Sequence, residues 1–480
     1  MRPLLACAAS IVALGVPAAA PAATVSTETR CQGSPGSCLT TASFTAAPGE
    51  ANDVAAEQGD GEVRFRDRGA PIEVGDGCRR LADGAAACPA GAVTVRLGDG
   101  DDRLALGAHA FAFSGLGEDG DDELRGSPGG ERLEGGPGDD RLFGEAGHDA
   151  LDGGSGADLA EGGEGDDRIE LADIDQYAVQ PAAPASGAGV GSVAGPPAPD
   201  RADGGPGEDS LDYRPERRAL HVDLATGAAG GTGAAAAGDV LSGLENLLAG
   251  SGHDRLAGDD GPNAISAGEG DDLVAGRGGD DELADEEGNR GSIDGGAGDD
   301  ALSAAGPAFL HGGDGDDLLT TGPGGGVAHG GAGADRVTLP EPPRAPLRVV
   351  CGDGADTAAA QRRVWIAGDC EWVALGTGGA AIGRPLRLRG RSALVPLRAP
   401  EGVSGRLVVR DARTGRPLGS GRFSGAGAET TPVVRVGLTD AAVRRVLRRG
   451  AIAATVLDAR EPSARLRTAI VAAPAATLRP

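Results

Sequence analysis

The chain has 480 residues, enough for several domains, and contains 86 Gly but only 7 Phe, 2 Trp and 2 Tyr. That scarcity of aromatics excludes a large aromatic-filled core and favours a solenoid burying a narrow file of Leu, Ile, Val and Ala. The net charge of −28 is uneven: from Gly376 onward 19 Arg face 6 acids, so the preceding residues carry −41, a balance that excludes nucleic acid as a partner and suits divalent cations.

Arg2, the apolar run Leu4 to Val16 and the small residues Ala18 to Ala23 read as a secretory signal peptide over 1–22. A secreted protein, extracellular or associated with the cell surface, is therefore expected. No other segment reaches the roughly 20 apolar residues of a membrane span. Removing the signal removes Cys7 and leaves Cys31 with Cys38, Cys78 with Cys88, and Cys351 with Cys370. In an exported chain this even count favours disulfides, and local pairing is expected. Zinc is the weaker reading, because no His sits near these cysteines at ligand spacing.

Over 23–95, short apolar runs (Ala42 to Phe44, Val63 to Phe65, Val93 to Val95) are separated by Gly, Pro and Asp. They predict short strands forming a small N-terminal β cap. A repeat array follows over 96–170. It opens with Leu97 to Ala105, LGDGDDRLA, and becomes regular at Gly117. Nine-residue units start at Gly117, Gly126, Gly135, Gly144, Gly153 and Gly162; the third is GGPGDDRLF and the sixth GGEGDDRIE. Their sixth positions are Asp122, Glu131, Asp140, Asp149, Asp158 and Asp167, and Asp102 holds the matching place in the opening unit.

A nonapeptide G-G-x-G-x-D-x-apolar-x at this period resembles the RTX, or haemolysin-type, calcium-binding repeat. The resemblance implies an all-β fold, a parallel β-roll in which two units make one coil, and calcium ions held between turns two units apart. Asp122 is then expected across an ion from Asp140, and Asp149 from Asp167.

Residues 171–203 are rich in Pro, Ala and Gly and read as a linker. A second array spans 204–339. Its sixth positions are Asp209, Asp254, Asn263, Asp272, Asp281, Asp300, Asp317 and Asp335, while Gly326 stands where an acid is due. Between Tyr213 and Asn246 lies a spacer, expected to bulge from one coil and return in register. Residues 340–375 read as a closing coil with a Cys pair. The Arg-rich remainder, 376–480, predicts a β domain of the Ig-like sandwich sort, with a helix capped by Thr439 and running to Arg449.

The chemistry follows from the residue types. Calcium is a hard cation that takes six to eight oxygens. Gly-rich turns present carbonyls, the sixth-position acids add carboxylates, and the eighth-position Leu or Ile faces inward. Several Ca2+ ions are expected, with folding coupled to binding. The chain contains no H-E-x-x-H, G-x-S-x-G or P-loop. His148 and His253 occupy fifth positions of repeat units and read as turn residues, and His221 beside Asp223 as structural. A non-enzymatic structural or adhesive protein is the leading expectation, with a secreted calcium-dependent hydrolase as the alternative. Arg444, Arg445, Arg448 and Arg449 are either a contact for anionic cell-wall polymer or a solvated face.

Overall fold

The computed structural model describes residues 22–31, 38–59, 61–108, 112–171, 199–231, 238–285, 290–339 and 343–360, and shorter stretches between 364 and 472. The expected signal peptide and residues 172–198 of the expected linker lie outside the described residues.

Each nonapeptide forms one Gly-rich turn and one short strand, and successive strands go to opposite sheets. The first sheet stacks Ala112–Asp119, Glu131–Pro137, Ala150–Ser155 and Arg168–Glu170 in parallel. The second stacks Glu123–Ser127, Arg141–Ala146 and Leu159–Glu164. Leu133 pairs in register with Leu151, and Leu142 with Ala160, so one coil is two repeat units. Repetition builds an all-β parallel solenoid of about 12 turns.

Alternation along each strand puts the seventh residue outside and the eighth inside. Leu124, Leu133, Leu142, Leu151 and Ile169 are at most 1% exposed. Burying each contributes about 2–3 kcal/mol. The inner file continues through Leu211, Leu247, Ile265, Leu283, Leu302, Leu319 and Val337 in one sheet. In the other it runs through Leu256, Val274, Ile293, Leu310, Ala328 and Val349.

Two sequence expectations need correction. The roll resumes before Gly204: Arg201–Asp203 pairs in parallel with Leu159–Glu164, so the end of the 171–203 segment is a strand of the second sheet. Its Ala202 is the inward residue, fully buried, and a lone Ala between Arg and Asp gave little apolar signal. Nor do the described residues of the spacer bulge outward. Leu220–Asp223, Ala228–Gly231 and Val240–Ser242 pair antiparallel inside the second sheet, flanked in parallel by Arg201–Asp203 and Arg255–Ala257. Buried Val222, Ala229 and Leu241 explain why it stays in the layer. Asp223 accepts two hydrogen bonds from Arg277, at 2.7 and 2.8 Å, tying the spacer to the second array. Leu347–Asp353 and Thr357–Ala360 continue both sheets in parallel.

Before the roll, Ala23–Cys31 and Cys38–Thr45 form an antiparallel pair that sets Cys31 opposite Cys38 and extends the first sheet. Asp53–Gly59 and Glu62–Asp67 do the same for the second sheet. Phe44 and Phe65, both fully buried, meet between them with ring centroids 6.2 Å apart. Disulfides join Cys78 to Cys88 and Cys351 to Cys370.

After the roll, seven strands pair in a ring. Leu386–Arg389 lies between Ser392–Arg398 and Arg465–Ala472, and the circuit closes through Val433–Leu438, Pro417–Ser424, Ser404–Asp411 and Ala451–Asp458. The helix spans Asp440–Arg449, and Thr439 Oγ1 accepts the Ala442 N–H at 3.3 Å as its cap. Among the described residues no helix is long and apolar enough to cross a membrane.

Candidate metal centre

The turns lie along two edges of the roll. At the first edge the chain passes from the first sheet to the second, and at the second edge it returns. The sixth-position residues stack along each edge in a file one coil apart.

On the first edge the file runs Asn52, Asp102, Asp122, Asp140, Asp158, Asp200, Asp239. The backbone N–H of each donates to a carboxylate Oδ1 of the next, at 2.6 Å from Asn52 and 2.8 Å along the regular run. At Asp239 the buried Tyr213 hydroxyl donates to Oδ2 at 2.7 Å. Beyond the spacer, Asp254 donates in the same way to Asp272.

On the second edge Glu131, Asp149, Asp167, Asp209 and Glu245 form one run. Asn263, Asp281, Asp300, Asp317, Asp335 and Asp356 form the next. The Asn263 side-chain amide joins them by donating to the Glu245 carbonyl at 3.0 Å.

The other carboxylate oxygen is the notable one. Oδ2 of Asp102, Asp122, Asp140, Asp149, Asp167, Asp209, Asp254, Asp272, Asp281, Asp300, Asp317 and Asp335 is buried and accepts no hydrogen bond. These residues are at most 3% exposed. A buried, unsatisfied polar oxygen costs about 1–3 kcal/mol, more when charged. Burial therefore pushes the carboxyls towards their neutral form. It raises Asp140 to about 8, with the charges of Asp158 and Asp122 adding to it. Asp102, Asp149, Asp281 and Asp317 are raised to about 7, and Asp122, Asp209 and Asp272 to about 6, burial again the foremost cause.

Several of those oxygens face a cradle that a glycine leaves open. A Cβ on Gly135 would lie 2.3 Å from Asp140 Oδ2 and 2.5 Å from the Gly153 carbonyl oxygen one coil on. Gly117, Gly144, Gly276, Gly295, Gly312 and Gly330 repeat this convergence of a carboxylate and a carbonyl. Among the described residues no three His, Cys, Asp or Glu side chains gather to hold a metal ion. Side chains alone are thus insufficient, and the turn carbonyls must supply the remaining oxygens. An all-oxygen donor set with repeated, unsatisfied carboxylates fits a hard cation such as Ca2+.

Every Asp expected from the repeats lies in one of the two files, and Asp122 adjoins Asp140 as Asp149 adjoins Asp167. Sequence reasoning missed Asp200, Asp239, Glu245 and Asp356, which sit in the same files. Their signal was the triplet acid, any residue, apolar residue: Asp200-Arg201-Ala202, Asp239-Val240-Leu241, Glu245-Asn246-Leu247 and Asp356-Thr357-Ala358. Gly326 belongs to the first edge, in register with Ala308 and Leu347. His148 and His253 are turn acceptors: their Nδ1 atoms take the N–H of Asp166 and Asp271, at 2.9 and 2.8 Å. Asp121 plays that part for Asp139.

The family model described as the RTX calcium-binding nonapeptide repeat matches in four copies, at residues 116–151, 125–160, 147–172 and 248–283. No curated protein matches the chain.

Proposed function

We propose that this chain, which carries RTX calcium-binding nonapeptide repeats, is a secreted structural protein whose roll folds on meeting extracellular calcium. The observation that carries the reading is the two files of buried carboxylates with unsatisfied Oδ2 atoms beside glycine cradles. When bound, the cation supplies the positive charge that these carboxylates lack. Asp122, Asp140, Asp149, Asp167, Asp281, Asp300, Asp317 and Asp335 would hold it, with carbonyls of the neighbouring glycines.

Carboxylates that are buried, close and unneutralised repel one another, and Gly-rich turns lose much entropy on ordering. Both costs stand against the fold when calcium is scarce. Extracellular sites of this kind bind at Kd on the order of 10⁻⁴–10⁻³ M, which suits a chain that stays open inside the cell. The antiparallel strands before Ala92 act as the cap that shields the first coil. The seven-strand ring after the roll follows the pairing order of an Ig-like sandwich, one sheet joined to the other at its edges. Its Arg-rich sequence, with Arg410, Arg416, Arg422 and Arg444 exposed, is the part suited to an anionic polymer. The role is non-enzymatic, supported by the absence of the nucleophile, zinc-protease and phosphate-loop motifs from the sequence.

The test is a calcium titration of the full mature chain, read by calorimetry and circular dichroism. Several ions should bind, with a coincident gain of strand signal that chelator reverses. Equal strand content in chelator and in millimolar calcium would discard coupled folding. The hydrolase alternative is checked by assaying the calcium-loaded chain against protein, lipid and polysaccharide substrates.

A further inference from the structure

On the outer face of the second sheet, far from either acid file in sequence role, two histidines meet. His311 lies on Ala308–Asp314 and His329 on Gly326–Ala332, and the parallel register sets them directly side by side. Their inward neighbours Leu310 and Ala328 are buried, so both imidazoles project from the roll. The ring centroids are 5.0 Å apart, with planes tilted by 44°. Asp294, the register partner of His311 on the preceding strand, places Oδ1 2.8 Å from His311 Nδ1.

We propose that His311 and His329 form a two-imidazole site for a borderline divalent transition metal, Zn2+ or Cu2+, separate from the calcium files.

Three observations support the site. The first is spacing. Imidazole nitrogens bound at about 2.0–2.1 Å, with metal angles between square and tetrahedral, place ring centroids about 4.5–5.2 Å apart. The observed separation falls inside that window. The second is the contact between Asp294 and His311. A carboxylate on one ring nitrogen fixes the tautomer and leaves Nε2 as the donor, which is the usual support behind a metal-bound histidine. The third is His329 Nδ1, which is buried and has no hydrogen-bond partner. An orphaned buried nitrogen is costly in a plain structural pair, and a metal or its bound water satisfies it.

Two protein ligands are fewer than a closed structural site uses, so water fills the remaining positions and the site is an open one. The calcium files cannot substitute for it. They offer only oxygen donors, whereas imidazole selects the softer metals. The reverse also holds, so calcium at millimolar concentration does not compete at the histidine pair.

The experiment uses the full chain held in millimolar calcium. One equivalent of Cu2+ should give an electron paramagnetic resonance spectrum with two equatorial nitrogens. His311→Gln and His329→Gln should each reduce that to one or none, and should weaken Zn2+ binding by calorimetry by roughly a hundredfold. Asp294→Asn, which leaves both ligands, should weaken Zn2+ by roughly ten-fold. Calcium stoichiometry and circular dichroism should stay unchanged in all three, because the side chains stand outside the roll. A wild-type copper spectrum unaltered in the histidine variants would place the metal elsewhere and overturn the proposal. So would zinc affinity that is equal in all four proteins.

Discussion

Along the first edge the acid file ends at Asp272, whereas along the second it begins at Glu131 and continues to Asp356. After Asp272 the sixth positions on the first edge are Gly291, Ala308, Gly326 and Leu347. The glycine place changes with them. Gly117, Gly135 and Gly153 give way to Ala304, Thr321 and Leu339 on that edge, while Gly276, Gly295, Gly312 and Gly330 persist on the other. The two changes are not strictly coupled: Leu97, Ala249 and Ala267 stand at the glycine place ahead of Asp102, Asp254 and Asp272, and the buried Asp285 stands there one coil before Ala304. The roll therefore has a middle stretch, 131–272, with acids on both edges, and a later stretch with acids on one. The later stretch closes its bare edge with apolar side chains, Leu339 and Leu347 among them, both buried.

The largest effect that separates the two stretches is calcium removal. Amide exchange in chelator should show protection across 131–272 falling by roughly a thousandfold. Residues 301–338 should fall at least ten-fold less, since one of their edges is built without a cation. Uniform loss across the roll would erase the distinction.

Next in size is a single carboxylate. Asp140 faces the coil on either side of it, through its N–H to Asp158 and through Oδ1 from Asp122. Asp140→Ala should remove at least one bound ion and about 3 kcal/mol of calcium-loaded stability. Denaturant unfolding and calcium stoichiometry, measured together, check both. An unchanged ion count would remove Asp140 from the ligand set.

Smaller, and more diagnostic, is a matched pair at the glycine place. Gly135→Ala drives a Cβ against Asp140 Oδ2 and should cost about 2 kcal/mol along with an ion. Ala304→Gly, at the equivalent place on the bare edge, should cost only about 1 kcal/mol, from backbone entropy, and leave the ion count alone. If both variants lose an ion, the first edge is occupied beyond Asp272.

Much of this was legible in the sequence. The nonapeptide register gave the roll, the coil period and the Asp residues of both files, because Gly, Asp and Leu each have one physical job in the turn and strand. What escaped was carried by units that keep only part of the pattern. Asp200 and Asp239 lack the preceding G-G-x-G pattern and sit beside a Pro/Ala-rich stretch and in a spacer, so only the acid and the residue two places on betray them. The spacer strand Ala228–Gly231 holds nothing but Ala and Gly, and its place in the sheet depends on the antiparallel partners on either side. The histidine pair is eighteen residues apart, which is one coil, and in a linear reading two such residues form no cluster.

The last and smallest lever is pH, acting on the calcium-free fold. Burial keeps Asp140 protonated up to about pH 8, and Asp102, Asp149, Asp281 and Asp317 up to about pH 7. In the unfolded chain the same carboxyls release their protons near about pH 4. Between those limits the fold binds more protons than the unfolded chain, so its stability falls as pH rises and is greatest below about pH 4. Acid neutralises the files as calcium does, but without bridging the coils. In chelator, strand signal should therefore be larger at pH 5 than at pH 8, and added calcium should remove most of that difference. Since 131–272 carries acids on both edges, the gain in acid should concentrate there, which amide exchange at the two pH values, corrected for intrinsic rates, can resolve. A calcium-free signal that is flat or rises towards pH 8 would mean that the buried carboxyls are not what opposes folding.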